Sequence, residues 1–133
     1  MVETQLRRRG IRDERVLAAM GAIPREEFVP AESRVVAYAD NPNHVGYGQT
    51  ISQPYMTALM AELLELSGTE TVLEVGAGCG YAAAVLGQLA ARVIALELIP
   101  GLARLARENL RRTTRQANIA VVEGDGSFGY PAL

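Results

Sequence analysis

An α/β fold built on a parallel sheet is predicted by three observations in the second half of this chain. Short apolar runs alternate with helical segments, a glycine-rich turn joins the first run to the first helix, and that run lacks the polar alternation of a strand with one wet face. The runs are Thr71–Val75, Arg92–Leu96 and Asn118–Val122, and the helical segments between them cover about 81–90 and 100–112. Val72-Leu73-Glu74-Val75 reads as a strand covered on both faces. Two right-handed crossovers then place the strands in the spatial order 3-2-1.

The first half reads differently. Asp13 suits the N-cap of a short helix whose apolar face is Val16, Leu17 and Met20, ending near Gly21 and before Pro24. Residues 28–40 read as irregular, and 41–48, rich in Asn, Pro and Gly, as a loop. A helix over 54–66 follows, with Pro54 in its first turn and Met56, Leu59, Met60, Leu63 and Leu64 as its expected buried face. Ser67-Gly68 stops it. The expected organisation is one domain, 1–133, with a helical and loop part over 1–66 and a βαβαβ half over 67–133.

Composition removes several function classes. A length of 133 residues allows one core, and a net charge of −2 supplies no electrostatic reason for a nucleic-acid or membrane partner. All 13 basic residues are arginine, and they are scattered along the chain. One cysteine excludes an internal disulfide, and one histidine beside it excludes the Cys/His sets of structural zinc, so no metal is expected. No apolar run is long enough for a membrane span, and residues 1–12 contain no signal-like apolar stretch, so the expected location is the cytoplasm.

The chemistry concentrates at the ends of the three strands. Glu74-Val75-Gly76-Ala77-Gly78-Cys79-Gly80 directly follows the first, where glycines let the backbone turn sharply near a ligand and N–H groups at the helix start favour an acceptor-rich group. Glu97, followed by Leu98, ends the second strand 21 residues after Gly76, where a carboxylate can accept from two ribose hydroxyls. Gly124-Asp125-Gly126 follows the third, placing Asp125 to accept from an adenine amino group. A dinucleotide site would need G-x-G-x-x-G/A, but Tyr81 occupies the sixth position and the third glycine comes one residue early. A cationic sulfonium ligand with an α-amino group fits the acidic neighbourhood of Glu74 better, and the three strand ends together look like a class I methyltransferase site.

The order of motifs also resembles one family. Asp13-Glu14-Arg15-Val16-Leu17-Ala18-Ala19-Met20, Pro24-Arg25-Glu26-Glu27-Phe28-Val29-Pro30, Ala37-Tyr38-Ala39-Asp40 and Gly46-Tyr47-Gly48-Gln49-Thr50-Ile51-Ser52-Gln53-Pro54 precede the glycine loop as in the protein-L-isoaspartate O-methyltransferases. The resemblance runs from about residue 6 to 131, and its most specific piece is Gly48–Pro54. It implies a Rossmann-like class I methyltransferase fold, here partial, comprising the N-terminal helices and the first three parallel strands. It further implies methyl transfer from S-adenosyl-L-methionine, leaving S-adenosyl-L-homocysteine, to the α-carboxylate of L-isoaspartyl residues in damaged proteins. By the same resemblance Ser52 is the active-site residue. Thr50, Ile51, Ser52, Glu74, Gly76, Ala77, Gly78, Cys79, Gly80, Glu97, Leu98, Asp125 and Gly126 match the cofactor positions.

Three departures accompany it. Ala77 and Cys79 stand where the family usually has Thr and Ser, His44-Val45 stands for Pro-Ile, and the family continues past Gly-Asp-Gly into further strands. A partial domain with impaired activity is therefore expected. The alternatives are a non-catalytic fragment that binds S-adenosylmethionine, or a carboxyl methyltransferase acting on a peptide natural product. Plainer roles stand beside the functional ones. Ser52 also suits a helix N-cap, Cys79 reads as a small loop side chain, His44 as a loop residue, and Arg7-Arg8-Arg9 as a solvated face.

Overall fold

A computed structural model of the chain describes residues 1–132; Leu133, the last residue of the expected 67–133 half, lies outside the described residues. Four helices and five strands follow in the order α1 (Glu14–Ala22), β1 (Asn43–Gly46), β2 (Gln49–Ile51), α2 (Pro54–Leu63), β3 (Thr71–Val75), α3 (Tyr81–Gly87), β4 (Arg92–Glu97), α4 (Pro100–Thr113) and β5 (Ile119–Glu123).

β3, β4 and β5 form a parallel sheet with β4 in the middle, so the predicted 3-2-1 order stands. The register pairs Val75 with Leu96 and Leu96 with Val122, which aligns the three strand ends. β4 is an unbroken apolar run because both its faces are covered, and Val93, Ile94, Ala95 and Leu96 are all buried. Ala83, Ala84, Ala103 and Ala106 of α3 and α4 are fully buried, and such small side chains allow close approach between packed elements. Gly80 shows how close. A Cβ there would lie 3.3 Å from the α4 backbone at Ala106, and its φ of +91° is in the left-handed region.

The front half packs as a second layer. Asp13 caps α1 as expected, accepting from the backbone N–H groups of Arg15 and Val16. Val16, Leu17, Ala19 and Met20 are buried, joined by Leu6, Ile11 and Phe28. Residues 28–40 are more regular than expected: 3-10 turns cover Arg25–Phe28 and Ala31–Val36. The predicted loop at 41–48 instead opens a hairpin, in which β1 pairs antiparallel with β2 around Tyr47-Gly48. The turn residues Gly46, Tyr47 and Gly48 all have positive φ, which lets so short a connection reverse the chain.

α2 corrects the sequence reading most. It stops at Leu63, three residues earlier than predicted, and its inner face consists of Pro54, Thr57, Ala58 and Ala61. Met56, Met60, Leu63 and Leu64, expected to be buried, are exposed. Small residues let α2 approach α1 closely, and the bulky ones are turned toward the open end of the sheet.

Candidate functional site

The hairpin, α2, β3 and the turn after β3 surround a cavity of about 590 Å³. Eight of the predicted residues line it: Thr50, Ile51, Ser52, Glu74, Gly76, Ala77, Gly78 and Cys79. Two segments more than twenty residues apart in sequence thus meet on one space. β2 delivers Thr50 and Ile51, and the short link to α2 delivers Ser52.

Ser52 is exposed, and Gln53 takes the N-cap position of α2 with no side-chain cap. The plainer capping role of Ser52 is therefore not realised. Its backbone carbonyl accepts from Arg25 Nη2 at 2.7 Å. That arginine was not anticipated as part of the site. It is fully buried, and the Pro24–Pro30 motif that contains it gave the only hint.

The glycine turn behaves differently from a phosphate cradle. The N–H groups of Gly76 and Ala77 both donate to Leu96 O at 2.8 Å, Gly80 N–H donates to Ala77 O, and Gly78 N–H donates to Glu97 Oε2 at 2.7 Å. The N–H groups expected to face a ligand are thus consumed within the protein, since parallel pairing brings the end of β4 directly beside the turn. An anion would find few donors here. Open space remains instead: a Cβ built on Gly76 or Gly78 meets nothing within 4 Å.

Glu74 faces this space from β3. Its Oε2 is buried without a hydrogen-bond partner. Burial, reinforced by the charge of Glu97, pushes its carboxyl up to about 8. Cys79 is buried, and its thiol is pushed up by burial to about 11, so it is no nucleophile at neutral pH. Ala77 is buried beside it.

Gly80, at the end of the turn, lies outside the cavity wall and packs against α4, and the other predicted residues sit at the neighbouring strand ends. Glu97 is buried and braces the turn: Oε2 accepts from Gly78, and Oε1 accepts from Ile99 N–H at 3.0 Å. Leu98 next to it is exposed. Asp125 caps the 3-10 turn Gly126–Phe128 by accepting from Ser127 N–H, and the Ser127 hydroxyl together with that N–H holds its carboxyl below the usual range. Gly126 lies so close to β3 that a Cβ would come within 2.3 Å of the Val75 side chain. The second and third strand ends therefore adjoin the first. Tyr38 and Asp40 lie farther out, where Asp40 pairs with Arg9 and accepts from Gln53. His44 is an exposed residue of β1.

A parallel sheet whose consecutive strand ends carry a glycine turn, an acidic residue and a Gly-Asp-Gly turn defines a Rossmann-like class I methyltransferase fold, and solved structures agree. A protein-L-isoaspartate O-methyltransferase superposes with a TM-score of 0.82 at 30% identity, covering 100% of this chain and 45% of that one. A Plasmodium falciparum structure, described as a beta-aspartate methyltransferase in complex with S-adenosyl-L-homocysteine, superposes with a TM-score of 0.75 at 26% identity. That match covers 91% of this chain and 60% of the other. The protein-L-isoaspartate(D-aspartate) O-methyltransferase family matches residues 1–133, and the chain belongs to that family. It is 56% identical over 131 residues to the protein-L-isoaspartate O-methyltransferase of Methanoculleus marisnigri, covering 98% of this chain and 59% of that protein. The chain thus spans about three-fifths of the length of that relative.

Proposed function

We propose that this protein binds S-adenosyl-L-methionine in the cavity between β2 and the glycine turn, and that the methyl group passes to the α-carboxylate of L-isoaspartyl residues in damaged proteins. The observation that carries the reading is the meeting of Thr50–Ser52 with Glu74–Cys79 around one cavity, with a partnerless carboxyl oxygen of Glu74 against it.

The residues present suit such a ligand. A buried acid without a partner complements the cationic amino end, and the bare backbone at Gly76 and Gly78 leaves room for the chain beside it. Glu97 holds the turn in place through Gly78 and stands next to Leu98 where a ribose would lie, with Asp125 and Gly126 on the adenine side. When bound, the ligand supplies a methyl group activated by a sulfonium. The protein's part is then orientation and exclusion of water. An isoaspartyl carboxylate is already ionised at neutral pH, so no general base is required. Ser52 serves as a hydrogen-bond donor that aligns the carboxylate, with Thr50, Ile51 and Gln53 shaping the approach.

The test is transfer of labelled methyl from S-adenosylmethionine to an isoaspartyl peptide and to its aspartyl twin. Transfer to the first alone is expected, with Ser52→Ala lowering kcat by about tenfold or more while leaving S-adenosylhomocysteine affinity within about threefold. Equal transfer to both peptides would defeat the substrate assignment. A second reading, ligand binding without turnover by these 133 residues, is favoured by the exposure of Met60, Leu63, Leu64 and Val75 along one side of the cavity. Calorimetric binding of S-adenosylhomocysteine with no transfer to either peptide is its expected signature.

A further inference from the structure

Arg25 is a buried cation of the front half. It sits in the 3-10 turn Arg25–Phe28 with its side chain fully buried. Nε donates to Ala37 O at 2.5 Å, and Nη2 donates to Ser52 O at 2.7 Å. The guanidinium carbon stands 4.9 Å from the centre of the Tyr81 ring, and Tyr81 is the first residue of α3, directly after the glycine turn. Nη1 is buried with no partner, and no carboxylate pairs with this cation among the described residues.

Burying an arginine without a counter-charge is a poor way to gain stability. The desolvation cost is large, and an apolar side chain of similar volume commonly does as well or better. Its planar fork does something an apolar residue cannot. It fixes two carbonyls in one plane while its face rests on an aromatic ring. The two carbonyls and the ring come from three separate segments: the end of the second 3-10 turn, the Ser52 link and the first turn of α3.

Resting on the function proposed above, we infer that Arg25 is a positioning residue that locks the Ser52 link in register with the glycine turn. It acts through the Ser52 carbonyl and so aims a hydroxyl that it does not touch.

The experiment compares Arg25→Met and Arg25→Lys with the wild-type 133-residue chain by two readouts. The first does not depend on turnover. Amide exchange over residues 49–53 should accelerate by about tenfold in Arg25→Met while β4 keeps its protection. The second is kinetic. KM for an isoaspartyl peptide should rise by about tenfold and kcat should fall, with S-adenosylhomocysteine affinity within about threefold. Arg25→Lys should recover only part of both, because one ammonium cannot reproduce the planar fork. Wild-type exchange over 49–53 in a folded Arg25→Met would overturn the inference. So would equal losses of cofactor and peptide binding. If Arg25→Met does not fold, Arg25→Lys decides: wild-type exchange and KM there would assign Arg25 to stability alone and overturn it, and partial loss of both would support it. A wild-type chain with no methyl transfer would sink the function and leave the exchange result to judge Arg25.

Discussion

A carboxyl group that stays protonated at neutral pH leaves a thermodynamic trace, and Glu74 is placed to do so. Its pKa in the folded chain is raised to about 8 from an ordinary 4.5, because burial disfavours the anion and Glu97 adds a like charge. Between those two values the folded state holds a proton that the unfolded state has lost. Stability should therefore fall as pH rises through that window, and the slope should flatten in Glu74→Gln. The same proton is linked to ligand binding. A cationic amino group beside Glu74 favours its ionised form, so binding releases the proton and tightens as pH rises toward 8. S-adenosylhomocysteine should bind about tenfold more weakly at pH 6 than at pH 8, and Glu74→Gln should lose most of that dependence. Calorimetry in two buffers of different ionisation enthalpy reads the proton directly. A pH-independent affinity in the wild type would show that Glu74 does not meet the cationic end.

At the scale of elements, the β1–β2 hairpin is the part that joins the two halves of the site. Its tip rests on the start of α4: a Cβ built on Gly101 would lie 2.3 Å from the ring of Tyr47. Gly101→Ala must therefore push the tip away, since ring and backbone cannot both stay. The expected result is faster proteolytic cutting and faster amide exchange across 43–51, with α1 and β4 unchanged. Weaker peptide binding should follow, and Tyr47→Ala should reproduce it without the added methyl. An unchanged exchange pattern in Gly101→Ala would mean that the hairpin is held elsewhere. Which elements were legible in sequence follows a physical rule. β3, β4, β5, α3 and α4 were placed to within a few residues because each has an uninterrupted local pattern, with Gly or Pro marking the starts of α3 and α4 and the ends of β3 and β5. The hairpin was not, because β1 and β2 are too short to show alternation and its turn relies on a left-handed Tyr47. The same division holds in the site. Glu74 and the glycine turn were readable from one contiguous motif, but the inward use of the turn's N–H groups depends on Leu96 O and Glu97, which only strand pairing brings there. Arg25 was invisible as a site residue because its partners lie 12, 27 and 56 positions away.

For the molecule as a whole, the open side of the sheet decides how these 133 residues behave in solution. Among the described residues β4 has neighbours on both edges, but β3 has one only on the β4 side, and Val75 at its end is 60% exposed. The outward face of α2 adds Met60, Leu63 and Leu64, of which Leu63 is 71% exposed. An unpaired strand edge beside a contiguous apolar surface is a template for association. The sequence wrote both features as interior: a strand without polar alternation, and a helix with its bulky residues on one face. The fold of these residues turns them toward solvent because α1 takes the small-residue face of α2 and β4 takes one edge of β3. The 133-residue chain is therefore expected to bind an apolar dye and to self-associate as its concentration rises, by light scattering. Leu63→Lys with Val75→Lys should suppress both. Leu63 is mostly exposed and its replacement should cost within about 0.5 kcal/mol, whereas Val75 also packs against Gly126 and its replacement should cost about 1 kcal/mol. A monomer that ignores the dye at high concentration would mean that this face is closed in solution. The cavity beside it, which Leu63, Leu64 and Val75 help to line, would then differ in shape from the one described above.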